Sequence, residues 1–124
     1  MRIMEDNRAE QKEALEVLIE FNERVLKNMR IIVKELSGER LEDTNQFLKG
    51  IADALNWEIE VVNGTMGLLN EGKERIHKET FNASVMKLSD AIKANDDAAM
   101  AAAFTGLIPL FEQLGEAAKE VTAE

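Results

Sequence analysis

The sequence predicts an all-α protein, an antiparallel up-down four-helix bundle with two long and two shorter helices. Three observations predict it. Apolar residues recur at spacings of three and four along nearly the whole chain, the period of a helix that buries one face. Strand-like alternation is absent, only one proline is present, and the seven glycines are scattered. Breaks fall near Ser37–Gly38, Asn70–Gly72 and Asn95–Asp96, where turn-forming residues interrupt the apolar stripe. The 124 residues suit a single domain over 1–124, and an apolar content of 45% suffices for a core. With five Phe, one Trp and no Tyr, core volume must come mainly from Leu, Ile, Val, Met and Ala.

The first helix is predicted over about 7–36. Leu15, Leu18, Ile19, Val25, Leu26, Met29, Ile32, Val33 and Leu36 form its stripe, and Glu16, Glu20, Glu23, Lys27, Arg30 and Lys34 cover the opposite side. At 1.5 Å per residue it spans roughly 45 Å. Asn22 interrupts the stripe. It is either a buried polar group that fixes register or a partly wet position.

The second helix is predicted over about 39–71, with Leu48, Ile51, Ala52, Leu55, Ile59, Val62, Met66 and Leu69 facing inward. A second apolar set, Trp57, Val61 and Leu68, lies with Gly50 and Gly64 beside it. In a continuous helix these project about 200–240° from Leu55, on the far side. A helix apolar on two faces is buried between neighbours or carries a partner site; scattered surface apolars are the plain alternative.

The third helix is predicted over about 75–94, on Phe81, Val85, Leu88 and Ile92, with Thr80 a possible cap and the true start somewhere between Lys73 and Thr80. The fourth is predicted over about 97–121, capped by Asn95 or Asp96, with Met100, Ala103, Leu107, Phe111, Leu114 and Val121 inward. Pro109 lies inside it. Proline lacks an amide hydrogen and clashes with the preceding turn, so a kink near Gly106 and Pro109 is expected.

Chemistry is sparse. No cysteine is present, which excludes disulfides and thiolate sites and fits a reducing cytoplasm. The start lacks an apolar signal-like region, and the longest unbroken apolar run, 98–104, is shorter than a membrane span. The net charge of −9 provides no basic stripe for nucleic acid or an anionic membrane. The single histidine lies in ERIHKET, where Glu74 and His77 have the E-x-x-H spacing of di-metal bundles. Such a site needs a second E-x-x-H and two more inward glutamates; only Glu58 projects near a core edge, so no metal is expected. A phosphoryl acceptor at His77 is the remaining chemical alternative, although no glycine follows the histidine and Phe81 lies one turn on. No catalytic residue and no cofactor are expected.

The segment LSDAIKANDDAAMAAAFTGLIPLFEQLGE, 88–116, is similar to the C-terminal half of a family of small acidic all-helical proteins described as molecular chaperones. Leu88, Ala91, Ile92, Asn95, Asp96, Leu107, Pro109, Leu110 and Phe111 carry the likeness, and WEIEVVNGTMGLL extends it to about half the chain. The helix–AND–helix layout also resembles flagellar export chaperones, from which this chain departs in having no tyrosine. The resemblance implies a non-enzymatic helical binder.

The expected function is therefore protein binding, as chaperone or adaptor, through an apolar helix face built on Trp57, Val61 and Leu68 with Phe47 and Phe21 at its margins. The partner is another protein or a second copy in a homodimer. Pro109 is expected to open a groove by bending the fourth helix. The alternatives are phosphotransfer through His77 and a purely structural homodimer.

Overall fold

The computed structural model describes residues 2–123, with side chains from Arg8 to Ala123. The described residues are all-helical, without strands, in five helices: α1 (Arg2–Leu36), α2 (Thr44–Gly64), α3 (Met66–Leu69), α4 (Lys78–Ala94) and α5 (Asp97–Thr122). The first helix starts earlier than its apolar stripe predicts, because its first turns, RIMEDNRAEQKE, hold few apolar residues and carry no periodic signal.

α1 and α5 form the axis of the molecule. They run antiparallel: Arg40, just beyond α1, grips Asp97 at the start of α5 through two bonds of 2.7 and 3.0 Å. Midway, the Asn22 amide donates to the Phe111 carbonyl at 2.9 Å. Asn22 is 2% exposed, so it is the buried register-fixing group rather than a wet one. Small residues let the backbones approach, since a Cβ added to Gly115 would come 3.0 Å from Asn22 Nδ2. α2 lies on α1, and α4 lies on α5, where Phe81 and Phe111 stack with centroids 5.3 Å apart. α2 does not run closely alongside α4 or α5.

The predicted second helix, 39–71, is corrected at both ends. Residues 39–43 form a turn closed by Thr44, whose hydroxyl accepts from the Leu41 amide at 2.8 Å and donates to Glu35 Oε1 at 2.7 Å. The helix then breaks at Thr65. Its amide is shared between the Val61 and Val62 carbonyls, and its hydroxyl donates to Val61 O at 2.6 Å. A side chain competing for the same acceptor is a known way to end a helix. The short α3 prolongs α2, with Leu69 still buried in line with Val62 and Thr65.

α5 is the most apolar helix, long and apolar enough by composition to cross a membrane; here it supplies ten buried residues to the core. It runs unbroken through Gly106 and Pro109, so the expected kink does not divide it. Pro109 and Thr105 are both exposed, which leaves the carbonyl that proline cannot satisfy on the solvent side. Asp96 caps α5 through Ala99 N at 3.1 Å, and Asn95 ends α4 in the left-handed region at φ 56°, a conformation Asn tolerates.

Candidate functional site

The outer surface of α1 and α2 carries the features that a partner could use. Phe21 and Trp57 meet edge to face, with centroids 5.2 Å apart and planes at 77°. Arg24 extends its guanidinium to 6.0 Å from the Phe21 centroid. Trp57 is 37% exposed, so the pair is half-covered and half-presented.

Beside it, a groove of about 480 Å³ runs between the two helices. Val25, Phe47, Ile51 and Ala54 supply its apolar lining, and Asn28, Asp43 and Gln46 its polar rim. Gly50 also borders the groove, and open space surrounds the position of its missing Cβ. The glycine is thus not forced by packing; its effect is to keep one wall low. Around the face, Glu42, Asp43, Asp53 and Glu60 are exposed, with Lys49 as the nearby cation on α2.

Four of the five predicted partner residues share this surface. Phe21 and Trp57 touch, Phe47 lines the groove, and Val61 lies one turn beyond Trp57, partly buried. Leu68 does not belong to it: it is 5% exposed, in the core. The projection that placed it beside Trp57 assumed one continuous helix with an open far side; in the structure Leu68 lies in the short α3, which packs on both α1 and α5.

Sequence reasoning missed the weight of Glu58. Its side chain is 0% exposed, deep in the α2 stripe between Leu55 and Val62, and neither carboxyl oxygen has a hydrogen-bond partner. Burial pushes its pKa up to about 8, because a low-dielectric site penalises the charged form. Its spacing from Leu55 and Val62 was the available signal, since three and four residues put all three on one face.

His77 is exposed and caps α4: its Nδ1 accepts from Thr80 N at 3.2 Å and faces the Thr80 hydroxyl at 2.8 Å. The helix begins at Lys78, not near 75, and it is His77 rather than Thr80 that caps it. The preceding Ile76 is buried core. The connection 70–77 is held by Asn70, whose Oδ1 accepts from the Arg75 and Ile76 amides, each at 2.8 Å, and whose Nδ2 donates to Ile76 O at 3.0 Å. Among the described residues, no group of three or more His, Asp or Glu side chains could hold a metal ion.

Residues 13–117 match the family described as a domain of unknown function, DUF8042. The chain belongs to that family. No curated protein and no solved structure matches the chain. The matched span takes in α2 to α4 whole and most of α1 and α5, so the aromatic pair, the groove and Glu58 all fall within the family domain.

Proposed function

We propose that this domain is a non-enzymatic protein-binding module, an up-down helical bundle in which α3 prolongs α2 after a break. It receives a partner on the α1/α2 face. The observation that carries the reading is the groove floored by Val25, Phe47, Ile51 and Ala54 beside the half-exposed Phe21–Trp57 pair. Large aromatic side chains at a desolvated centre, with a polar rim, are the usual energetic anchors of protein interfaces. The surrounding carboxylates favour a segment with apolar anchors flanked by Lys or Arg, seated as a helix in a groove. A chaperone or adaptor role in the cytoplasm is the form this activity would take. A second copy of a chain with net charge −9 meets more repulsion there than a cationic segment does.

The test is capture of partners from extract by the wild-type chain and by a Trp57→Glu, Phe47→Glu variant, with sedimentation of both. Partners held by the wild type and lost by the folded variant support the reading. A captured set that the variant retains in full refutes it. A wild-type dimer that the variant dissociates makes the face a homodimer interface instead. Phosphotransfer at His77 has weaker support, because Nδ1 is engaged by the Thr80 amide. Loss of a phosphorylation phenotype in His77→Ala would revive it.

A further inference from the structure

Glu58 has no role in the binding reading, yet it is the least comfortable group in the molecule. It lies in the buried stripe of α2 with both oxygens unpartnered. Among the described residues, the elements against α2 offer it no counter-charge. α1 packs on α2 and meets it around Phe21 and Val25, with Asn22 committed to Phe111 O. The α1 cation nearest the aromatic pair, Arg24, is exposed and extends over the Phe21 ring. α3, with Thr65 before it, has no ionisable residue. Glu112, Glu116 and Lys119 of α5 line a separate pocket between α5 and α1, with Glu23. On α2 itself Lys49, Asp53 and Glu60 point to solvent. The shift on Glu58 accordingly has burial as its cause and no charged partner.

α2 also has a single long neighbour to release, as α4 has in α5. It runs closely alongside α1 but not alongside α4 or α5. Its ends are defined by irregular backbone, with Gly38 at φ +120° in the turn before it and the break at Thr65 after it. Both ends stay tethered: the Thr44–Glu35 hydrogen bond pins the first turn, and Leu68 and Leu69 bury α3 in the core.

We propose that α2 is a proton-gated helix: when Glu58 loses its proton, α2 lifts from α1 between its two tethers, hydrating the carboxylate and uncovering the apolar sides of Val25, Ile51, Leu55 and Val62. With the proton on, α2 is seated and the groove and aromatic pair are as described. The gate needs no ligand and does not depend on the partner reading.

Hydrogen exchange followed by mass spectrometry, on the full chain between pH 6 and 9, tests it. A carboxyl that titrates near 8 when seated and near 4.5 when hydrated makes the opening constant rise about tenfold per pH unit up to roughly pH 8, then level off. After correction for intrinsic exchange, α2 amides of the wild type should follow that slope while α1 and α5 stay protected. In Glu58→Gln the α2 slope should be flat. Trp57 emission should shift with the same midpoint in the wild type and not in the variant. Overlapping wild-type and variant profiles overturn the proposal. So does loss of protection in α1 and α5 together with α2, which would be global unfolding rather than a gate. If Glu58→Gln fails to fold, Glu58→Met supplies the same comparison, and the slope difference between α2 and α5 in the wild type decides alone.

Discussion

Substituting Gly115 by Ala should destabilise the protein, and should stabilise it once Asn22 is gone. Gly115 sits inside α5, where replacing glycine by alanine normally gains about 1 kcal/mol of helix propensity. Here the new Cβ would come 3.0 Å from Asn22 Nδ2. The amide cannot simply swing aside, because it is buried and donates to Phe111 O at 2.9 Å. Displacing it forfeits a hydrogen bond worth about 1 kcal/mol, and crowding a packed seam costs about 1–3 kcal/mol more. The balance is a net loss of about 1–3 kcal/mol. In an Asn22→Ala background the obstacle is absent and only the propensity gain of about 1 kcal/mol remains. The coupling between the two sites is then about 2–4 kcal/mol, with a change of sign. Urea denaturation of the wild type, both single variants and the double variant measures all four corners. If Gly115→Ala changes stability by the same amount in both backgrounds, the seam is not held by this contact and the reasoning fails.

Other outcomes follow from the same geometry. The folded-state pKa of Glu58 is raised, so no ionisation cost is felt below about 4.5, and stability falls as pH rises from there to about 8. At about 1.4 kcal/mol for each tenfold change in proton affinity, the difference between those values amounts to at most roughly 5 kcal/mol, less if α2 lifts and hydrates the carboxylate. Asp97, beside Arg40, and Glu120, beside Lys73 and then Arg75, are shifted the other way. Their smaller, solvent-screened contribution is present at neutral pH and lost as pH falls through their lowered pKa values. The thermal midpoint should therefore be highest at about pH 5, and Glu58→Gln should remove the alkaline decline; a wild-type maximum at pH 8 would contradict this. His77→Ala should cost about 0.5–1 kcal/mol as a lost cap, whereas His77→Asp should hold or raise stability. Equal thermal midpoints for the two variants would count against the capping role. Phe21→Ala should red-shift Trp57 emission and cost about 0.5–1.5 kcal/mol for the pair beyond lost burial; an unchanged emission spectrum would show that the ring contact is not made in solution.

The helical class and the inward stripes were legible because they depend on a local period. Leu15, Leu18, Val25, Met29 and Ile32 are buried as their spacing requires. The Asp96 cap was legible too, as one of two adjacent candidates. The break at Thr65 was not. Gly64 and Thr65 look tolerable in a helix, and the competition of the threonine hydroxyl for Val61 O depends on a rotamer that no spacing reveals. Beyond that break α3 packs on both α1 and α5, which puts Leu68 in the core rather than on the expected surface. The start of α4 was ambiguous because Ile76 is apolar yet non-helical, buried by the Asn70 side chain that folds the connection.

The division of labour within the fold follows from where polar groups are satisfied. Between α1 and α5 the small residue Gly115 and the Asn22–Phe111 bond make a contact that tolerates little change. Between α1 and α2 the contact holds a carboxyl without a partner, a groove with one low wall and a half-exposed aromatic pair. Buried polar groups left unpaired are costly, and a core under no other demand would have an apolar side chain at position 58. Local opening draws on the least stable contacts of a structure, and this seam combines the interior carboxyl with a helix packed along only one neighbour. Whatever moves or binds in this domain should therefore do so at α2, with α1 and α5 as the frame against which it moves.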